Sequence, residues 1–257
     1  MKSLEIDPEK TKKQLVGFIK TETEKAGFNR VIFGLSGGLD SATVAYLCAE
    51  ALGKENVYAV LMPYKTVPKN VTEDAERIVK EIGINSQNVD ITKMIDSYFE
   101  IANDGDRLRR GNKMARERMS ILYDMSLKYK ALVIGTSNKS ELLLGYGTIY
   151  GDTACAIMPL AGLYKTQVRQ LAGFLGVPDN IINKVPSADL WPGQTDEGEM
   201  GFTYEEADKL LYLMIDCKKK KSELVKAGFD AEFIDKIELR VKKMEFKRRL
   251  PLIPKTI

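Results

Sequence analysis

The run Gly34-Leu35-Ser36-Gly37-Gly38-Leu39-Asp40-Ser41 has the composition of a loop that binds phosphate. It follows an apolar stretch at residues 31–33 and precedes a helical pattern at residues 42–52, so it joins a predicted strand to a predicted helix. The adjacent glycines let backbone N–H groups approach an anion, the helix N-terminus adds positive charge there, and the serines add hydroxyl donors. We therefore predict a phosphate site, with a glycine-rich turn that only caps the helix as the alternative.

Asp40 adds a carboxylate to this loop, and a second carboxylate follows a later strand. A carboxylate beside a polyphosphate is repelled unless a divalent cation lies between them, so Asp40 indicates a Mg²⁺ ion. The apolar run at residues 131–135 leads directly into Thr136 and then to Glu141, which could complete the metal's ligands. The alternative is structural, because Asn138 or Ser140 could cap the next helix while Glu141 favours its N-terminal dipole.

Four basic residues stand where they could meet anionic ligands. Arg116 and Arg118 cannot share one face of a helix, so one can point to a site while the other makes a structural pair; a solvated helix of mixed charges is the alternative. Lys165 opens a predicted helix, where it opposes the dipole and so indicates a nearby anion; an ordinary surface lysine is the alternative. Lys247 belongs to a basic run that exceeds the needs of a helix cap, although a solvated helix end is again the alternative.

Alternating strand and helix patterns must position these residues. Strands are predicted at residues 31–33, 56–62, 88–91 and 131–135, and helices at residues 8–26, 42–52, 70–81, 92–102, 112–130 and 165–176. This alternation predicts an α/β fold with a doubly wound, Rossmann-like parallel sheet of about five strands. Ligands bind such sheets in a crevice at the carboxyl ends of the strands.

The last part of the chain is predicted to be helical, at residues 203–216, 220–227 and 230–249. We expect residues 1–257 to form a single domain, with an α/β core at 1–200 and a helical C-terminal extension at 201–257. The acidic segment at residues 191–199, marked by glycine and proline, has no periodicity, and we predict that it is a mobile lid or a loop that orders on binding.

Composition limits the chemistry and the partners. Lysine and arginine number 39 against 36 acidic residues, and a net charge of +3 does not indicate a nucleic-acid or membrane surface. There is no histidine and the three cysteines lie far apart, which argues against a zinc site and against Ser–His–Asp or Cys–His catalysis. No apolar run approaches the roughly 20 residues of a membrane span and no signal-peptide pattern is present, so we expect a cytoplasmic protein.

Six motifs occur in an order similar to that of the NAD synthetase family: GLSGGLDS, NKMARERM, GTSNKSELLLGYGTIYGD, LYKTQV, VPSADLWPGQTDE and FKRRLP. The first motif resembles the pyrophosphate loop of the ATP pyrophosphatases, the adenine nucleotide alpha hydrolase-like proteins that split ATP between its α and β phosphates. The resemblance implies a ligase that adenylates the carboxylate of deamido-NAD with ATP and Mg²⁺. Ammonia then displaces AMP to give NAD, the last step of NAD biosynthesis. The resemblance also implies a homodimer.

The resemblance assigns roles to individual residues. It implies that the loop from Gly34 to Ser41 holds the ATP phosphates, that Thr136, Lys165 and Ser187 also contact ATP, and that Asp40 and Glu141 bind Mg²⁺. Asp40 and Lys165 are the expected catalytic residues, and Arg116 and Lys247 the expected contacts of deamido-NAD. The chain departs from the pattern of many bacterial members at three positions, which hold Ile149, Ala156 and Phe246 in place of a lysine, an acidic residue and a histidine.

Ammonia is the nitrogen source that we expect. Glutamine-dependent relatives carry an extra N-terminal amidase domain, and the phosphate loop here begins at residue 34; a separate subunit that supplies ammonia is the alternative. The rival enzymes are other ATP pyrophosphatases, such as a GMP synthetase fragment or a tRNA-modifying ligase, and the latter should be more basic. The rival outside enzymes is a nucleotide-binding sensor, which would need no second metal carboxylate and no lid.

Overall fold

The computed structural model describes residues 4–103, 105–191, 193–249 and 251–254. Within them, four parallel strands form one sheet in the order β3-β2-β1-β4. The strands are β1 (Val31–Gly34), β2 (Val57–Leu61), β3 (Asn85–Asn88) and β4 (Leu132–Val133). One further parallel bridge joins Ile134 to Ile157 beyond the end of β4.

Helices connect and cover these strands. They are α1 (Pro8–Lys25), α2 (Leu39–Leu52), α3 (Lys69–Ile82), α4 (Thr92–Ala102), α5 (Arg107–Tyr129), α6 (Lys139–Leu144), α7 (Lys165–Leu175), α8 (Asp179–Ile182), α9 (Asp196–Met200), α10 (Tyr204–Leu211), α11 (Lys221–Lys226) and α12 (Ala231–Lys243). A π-helical turn, Tyr212–Asp216, continues α10, and 3₁₀ turns occur at Lys54–Asn56, Pro159–Gly162 and Glu245–Arg248. No helix of the described segments is long and apolar enough to cross a bilayer.

Side chains of the central strand alternate between two cores, as the pleat of a strand requires. Val31 and Phe33 of β1 face a core that also contains side chains from α1, α2, α3 and α7. Ile32, between them, faces the other core, which is built with α4 and α5. The sheet is therefore covered on both faces, and the prediction of a doubly wound parallel α/β fold is confirmed.

The C-terminal helices have a core of their own. It contains Tyr204 and Leu210 of α10 and Ile237 of α12, each fully buried, and also Leu144 at the end of α6. Because Leu144 and Tyr164 precede residue 200, this core joins the predicted extension to the predicted α/β part of the chain. The extension packs directly on the helices that follow β4.

Several predicted elements differ in extent from the structure, and the third strand and the fifth helix differ for clear physical reasons. The described sheet has four strands where about five were expected, and the third strand occupies Asn85–Asn88 and not residues 88–91. Its four residues are polar and lie at an edge of the sheet, so no apolar pattern marks them. The long helix predicted at residues 112–130 begins earlier, at Arg107, because Asp106 accepts a hydrogen bond from the backbone of Arg109 and caps it.

Candidate active site

The glycine loop runs from the end of β1 into the first turn of α2, as the sequence predicts. Gly37 has φ +76°, a left-handed conformation that favours glycine, and a Cβ atom at this position would lie 2.3 Å from the carbonyl oxygen of Val71. Ser41 Oγ accepts a hydrogen bond from the backbone N–H of Ser36 at 3.2 Å and lies 3.0 Å from Ser36 Oγ. Hydrogen bonds between its two serines therefore join the start of the loop to its end, and α2 begins within the loop at Leu39.

The ammonium group of Lys165 lies between two carboxylates at this loop. Nζ contacts Oδ2 of Asp40 and lies 3.2 Å from Oε1 of Glu141. Lys165 is 4% exposed, so this is a buried charge cluster and not a surface lysine. Lys165 and Glu141 stand in the first turns of α7 and α6, and Asp40 in the first turn of α2. Three helix N-termini thus meet at one point.

Glu141 is at once a helix cap and a member of this cluster. Oε2 accepts a hydrogen bond from the backbone N–H of Asn138 at 3.3 Å, while Asn138 Oδ1 accepts one from the backbone N–H of Glu141 at 3.0 Å, forming a capping box. Asn138 also donates from Nδ2 to Oδ1 of Asp40 at 3.0 Å. The capping interpretation of this segment is therefore correct, and the same residues hold both candidate metal ligands in place.

The charges of the cluster shift its pKa values. Desolvation alone would lower the pKa of Lys165, but Asp40 and Glu141 outweigh it and raise that pKa, so the lysine is charged. Burial raises the pKa of Glu141, which Lys165 only partly opposes. Burial also raises the pKa of Asp196, which is 4% exposed and faces the same cluster. One lysine therefore balances three carboxyl groups, and the cluster favours a further cation.

A buried carboxylate behind the cluster holds the helix starts together. Asp208 of α10 is fully buried and accepts hydrogen bonds from the hydroxyl of Ser140 and from the backbone N–H and hydroxyl of Thr166, the last two at 2.9 Å. Ser140 Oγ in turn accepts a hydrogen bond from the backbone N–H of Lys165 at 2.9 Å. This network fixes α6 and α7 relative to each other, and with them Glu141 and Lys165.

The loop and the cluster face a cavity of about 680 Å³ at the carboxyl ends of the strands. Most of the predicted site residues line it: Gly34, Leu35, Ser36, Gly38, Leu39, Asp40, Ser41, Thr136, Glu141, Lys165, Ser187 and Lys247. Gly37 and Arg116 do not. The structure thus brings the predicted ATP and metal residues other than Gly37 to one cavity, and Arg116 is the predicted deamido-NAD contact that does not line it.

Three basic side chains of this region, those of Arg116, Arg118 and Lys247, donate hydrogen bonds to backbone carbonyl oxygens. Arg116 is exposed and donates from Nε to the carbonyl oxygen of Ile149 at 3.2 Å, whereas Arg118 lines the cavity. Lys247 donates to the carbonyl oxygens of Gly145 and Gly147 at 2.8 and 2.7 Å, so it is not a solvated helix end. Its contribution to substrate binding stays a prediction, as does that of Arg116.

The side chains around Asp40 include the kinds of ligand that Mg²⁺ prefers. Among the described residues, no group of three or more His, Cys, Asp or Glu side chains is arranged to hold a metal ion. Mg²⁺, however, is usually bound by one or two carboxylates together with water and substrate phosphates. Asp40 and Glu141 supply that pair beside the phosphate loop, and the buried Oδ1 of Asp196 has no hydrogen-bond partner in the described structure. The residues therefore fit a Mg²⁺ ion that binds together with a nucleotide.

Sequence reasoning missed Asp196, Asp208 and the orientation of Arg118. Asp196 lies in the segment predicted as a lid, which contains the short helix α9 and in which residue 192 is outside the described part of the chain. The available signal was Thr195, a residue type that often caps the start of a helix, directly before Asp196. Asp208 occupies the inner face of an amphipathic helix, where a charged residue is unusual unless it is hydrogen-bonded.

A phosphate loop at the carboxyl edge of a doubly wound parallel sheet defines the class of α/β proteins that bind a nucleotide by its phosphates. Comparison with known proteins gives the family within that class. The NAD synthase family model matches residues 11–251. The chain is 52% identical to the NH(3)-dependent NAD(+) synthetase of Trichlorobacter lovleyi over 99% of its own length and 93% of that protein. It belongs to the NAD synthase family, whose members are amide-forming ligases.

Two solved structures share the whole fold. An NMN synthetase from Francisella tularensis has a TM-score of 0.87 at 32% sequence identity. The alignment covers 98% of this chain and 100% of the Francisella chain. The NH3-dependent NAD synthetase from Campylobacter jejuni, solved with a nitrate ion, has a TM-score of 0.84 at 36% identity, with the same coverage. The fold and the family therefore agree, while the names of these neighbours differ in the product that they make.

Proposed function

We propose that this protein converts deamido-NAD to NAD with ATP and ammonia, releasing AMP and pyrophosphate. The observation that carries the proposal is the Asp40–Lys165–Glu141 cluster at the phosphate loop, inside a cavity large enough for a nucleotide. Family membership supports it, as does the name of the Trichlorobacter relative. The nucleotide-binding sensor considered from the sequence would have no need of such a cluster.

The first step of the proposed reaction is adenylation. An oxygen of the substrate carboxylate attacks the α-phosphorus of ATP, and the bond from that phosphorus to the bridging oxygen of the β-phosphate breaks. The electron pair leaves with pyrophosphate, whose growing charge the loop N–H groups and Lys165 can stabilise. A Mg²⁺ ion held by Asp40 and Glu141 would neutralise phosphate charge at the same place.

The second step forms the amide. The nitrogen of ammonia attacks the carbonyl carbon of the acyl adenylate, the bond to AMP breaks, and one proton leaves the nitrogen to water. Ammonium has no lone pair, so ammonia is the nucleophile, and the chain has no histidine that could deprotonate ammonium near neutral pH. Activity at a fixed total concentration of ammonium should therefore rise toward alkaline pH.

A second candidate is the amidation of a mononucleotide, the reaction that the name of the Francisella neighbour indicates. Ile149, Ala156 and Phe246 favour keeping this candidate, since they stand where the resemblance expects a substrate-binding lysine, an acidic partner and a histidine, and these departures leave the details of dinucleotide binding open. Both reactions would use the same phosphate loop and charge cluster. They differ only in whether the far end of the cavity accommodates a second nucleotide.

One assay distinguishes these activities. The purified protein is incubated with ATP, Mg²⁺ and ammonium, and with either deamido-NAD or nicotinic acid mononucleotide. We expect NAD, AMP and pyrophosphate, with kcat/KM for deamido-NAD higher than for the mononucleotide. The opposite preference would establish the second candidate. ADP as the nucleotide product would refute cleavage between the α and β phosphates in either case.

The same proposal includes the metal, the assembly and the compartment. Mg²⁺ is the cofactor that the donor set fits, and the substrates are the small molecules deamido-NAD, ATP and ammonia. The resemblance to the family supports a cytoplasmic homodimer that binds neither nucleic acid nor membrane. Sedimentation velocity on the purified protein tests the dimer, which a monomer at micromolar concentration would refute.

A further inference from the structure

Arg118 lies on the inner side of α5, beside the carboxyl end of β2. Its Nε donates a hydrogen bond to the carbonyl oxygen of Met62 at 3.0 Å, and the side chain lines the cavity. A hydrogen bond at Nε fixes the plane of the guanidinium group, because the group is rigid. Its two terminal nitrogens remain available.

No carboxylate of the described residues forms an ion pair with Arg118, and the bond to Met62 is its only hydrogen bond among those residues. Desolvation lowers the pKa of Arg118, and the charges of Asp189 and Asp152 only partly compensate. A desolvated cation without a partner destabilises a protein, so its presence at a cavity wall needs an explanation beyond the fold.

We propose that Arg118 binds a phosphate group of a substrate through its two terminal nitrogens. A guanidinium fork matches two phosphate oxygens, and such charge-assisted pairs are among the strongest hydrogen bonds in proteins. The proposal rests on the proposed function, in which ATP and deamido-NAD both carry phosphates. It assigns to Arg118 a contact inside the cavity, while Arg116, on the same helix, lies outside the cavity lining with its Nε on Ile149.

The test compares Arg118→Met with the wild-type protein. We expect the variant to bind ATP or deamido-NAD at least about tenfold more weakly by calorimetry, each ligand being titrated alone. The ligand whose affinity falls identifies the source of the phosphate. We also expect the unfolding temperature of the ligand-free variant to equal or exceed that of the wild type, because a partly desolvated charge without an ion-pair partner is removed.

Two more variants make the result specific. Arg118→Lys keeps the charge but not the fork, so it should fold and still lose at least about threefold in affinity for the same ligand. Lys128→Met removes an exposed cation from the same helix and should leave both affinities unchanged.

The outcomes separate this proposal from the proposed function. Unchanged affinities in both Arg118 variants, with wild-type turnover intact, would overturn the role of Arg118 alone. A less stable ligand-free variant with unchanged affinities would show that Arg118 is structural, and would overturn it as well. If the wild-type protein binds neither nucleotide, the proposed function fails and this assignment fails with it.

Discussion

Lys165 contacts both carboxylates, Asp40 and Glu141, that would hold a Mg²⁺ ion. Its ammonium group contacts one carboxylate and lies 3.2 Å from the other. A cation that binds these carboxylates must therefore displace the lysine or share them with it. We predict that Lys165→Met binds Mg²⁺ more tightly than the wild type when no nucleotide is present, although the variant loses activity.

The size of the effect follows from the geometry. At 3.2 Å and an effective dielectric constant of about 20, the Lys165–Glu141 attraction is about 5 kcal/mol before desolvation is counted. The side chains are 5% and 15% exposed, so water screens the pair little. Measured couplings of close charge pairs range from about 1.5 to about 7 kcal/mol, and the low end of that range corresponds to about tenfold in affinity. Removing the lysine should therefore strengthen Mg²⁺ binding by about tenfold or more.

Calorimetric titration of Mg²⁺ into the ligand-free protein measures the effect. Lys184→Met is the matched control, since Lys184 also lines the cavity but pairs with Asp74 at 3.0 Å. That variant should bind Mg²⁺ with wild-type affinity. Equal or weaker Mg²⁺ binding in Lys165→Met would refute the competition between lysine and metal.

Three further predictions concern carboxyl groups of the site. Asp40→Asn and Glu141→Gln should each lower turnover by orders of magnitude with an unchanged circular dichroism spectrum, because an amide does not replace an anionic Mg²⁺ ligand; near-normal turnover would exclude that residue. Asp208→Asn should lower the free energy of unfolding in urea by about 1–3 kcal/mol, since the three donors from Ser140 and Thr166 lose a charged acceptor, and no change would contradict the network. Because burial raises the pKa of Asp196 above its ordinary value of 3.8, the folded state holds its proton more tightly, and its contribution to stability falls as pH rises through the raised pKa. Asp196→Asn should therefore raise the unfolding temperature relative to wild type more at about pH 8 than at about pH 4, and a pH-independent difference would contradict this sign.

The phosphate loop could be predicted because its signal is local. A strand, two glycines and a helix follow one another in the chain, and Gly37 needs its residue type for reasons of backbone conformation and space. The third strand could not be placed correctly, since its pairing with β2 depends on the sheet and its four residues are polar. A sequence therefore predicts an element with a clear apolar pattern better than it predicts a polar strand at the edge of a sheet.

The choice between Arg116 and Arg118 shows a different limit. The sequence establishes that the two side chains leave α5 in different directions, but the rotation of the helix against the sheet decides which one faces the cavity. That rotation is set by the packing of buried residues such as Met114 and Leu122 on β1 and β2. Side-chain direction at a site is thus a tertiary property even where the helix itself is predicted well.

The C-terminal extension shows why the site and the fold cannot be separated at residue 200. Asp208 of α10 accepts the hydrogen bonds that hold the starts of α6 and α7, and these starts carry Glu141 and Lys165. Lys247, near the end of the chain, binds the two carbonyl groups of the loop that follows α6. The extension therefore contacts both the helices that carry the charge cluster and the loop that lines the cavity. We propose on this ground that residues 1–257 act as one domain, in which the α/β core supplies the phosphate loop and the extension positions the groups facing it.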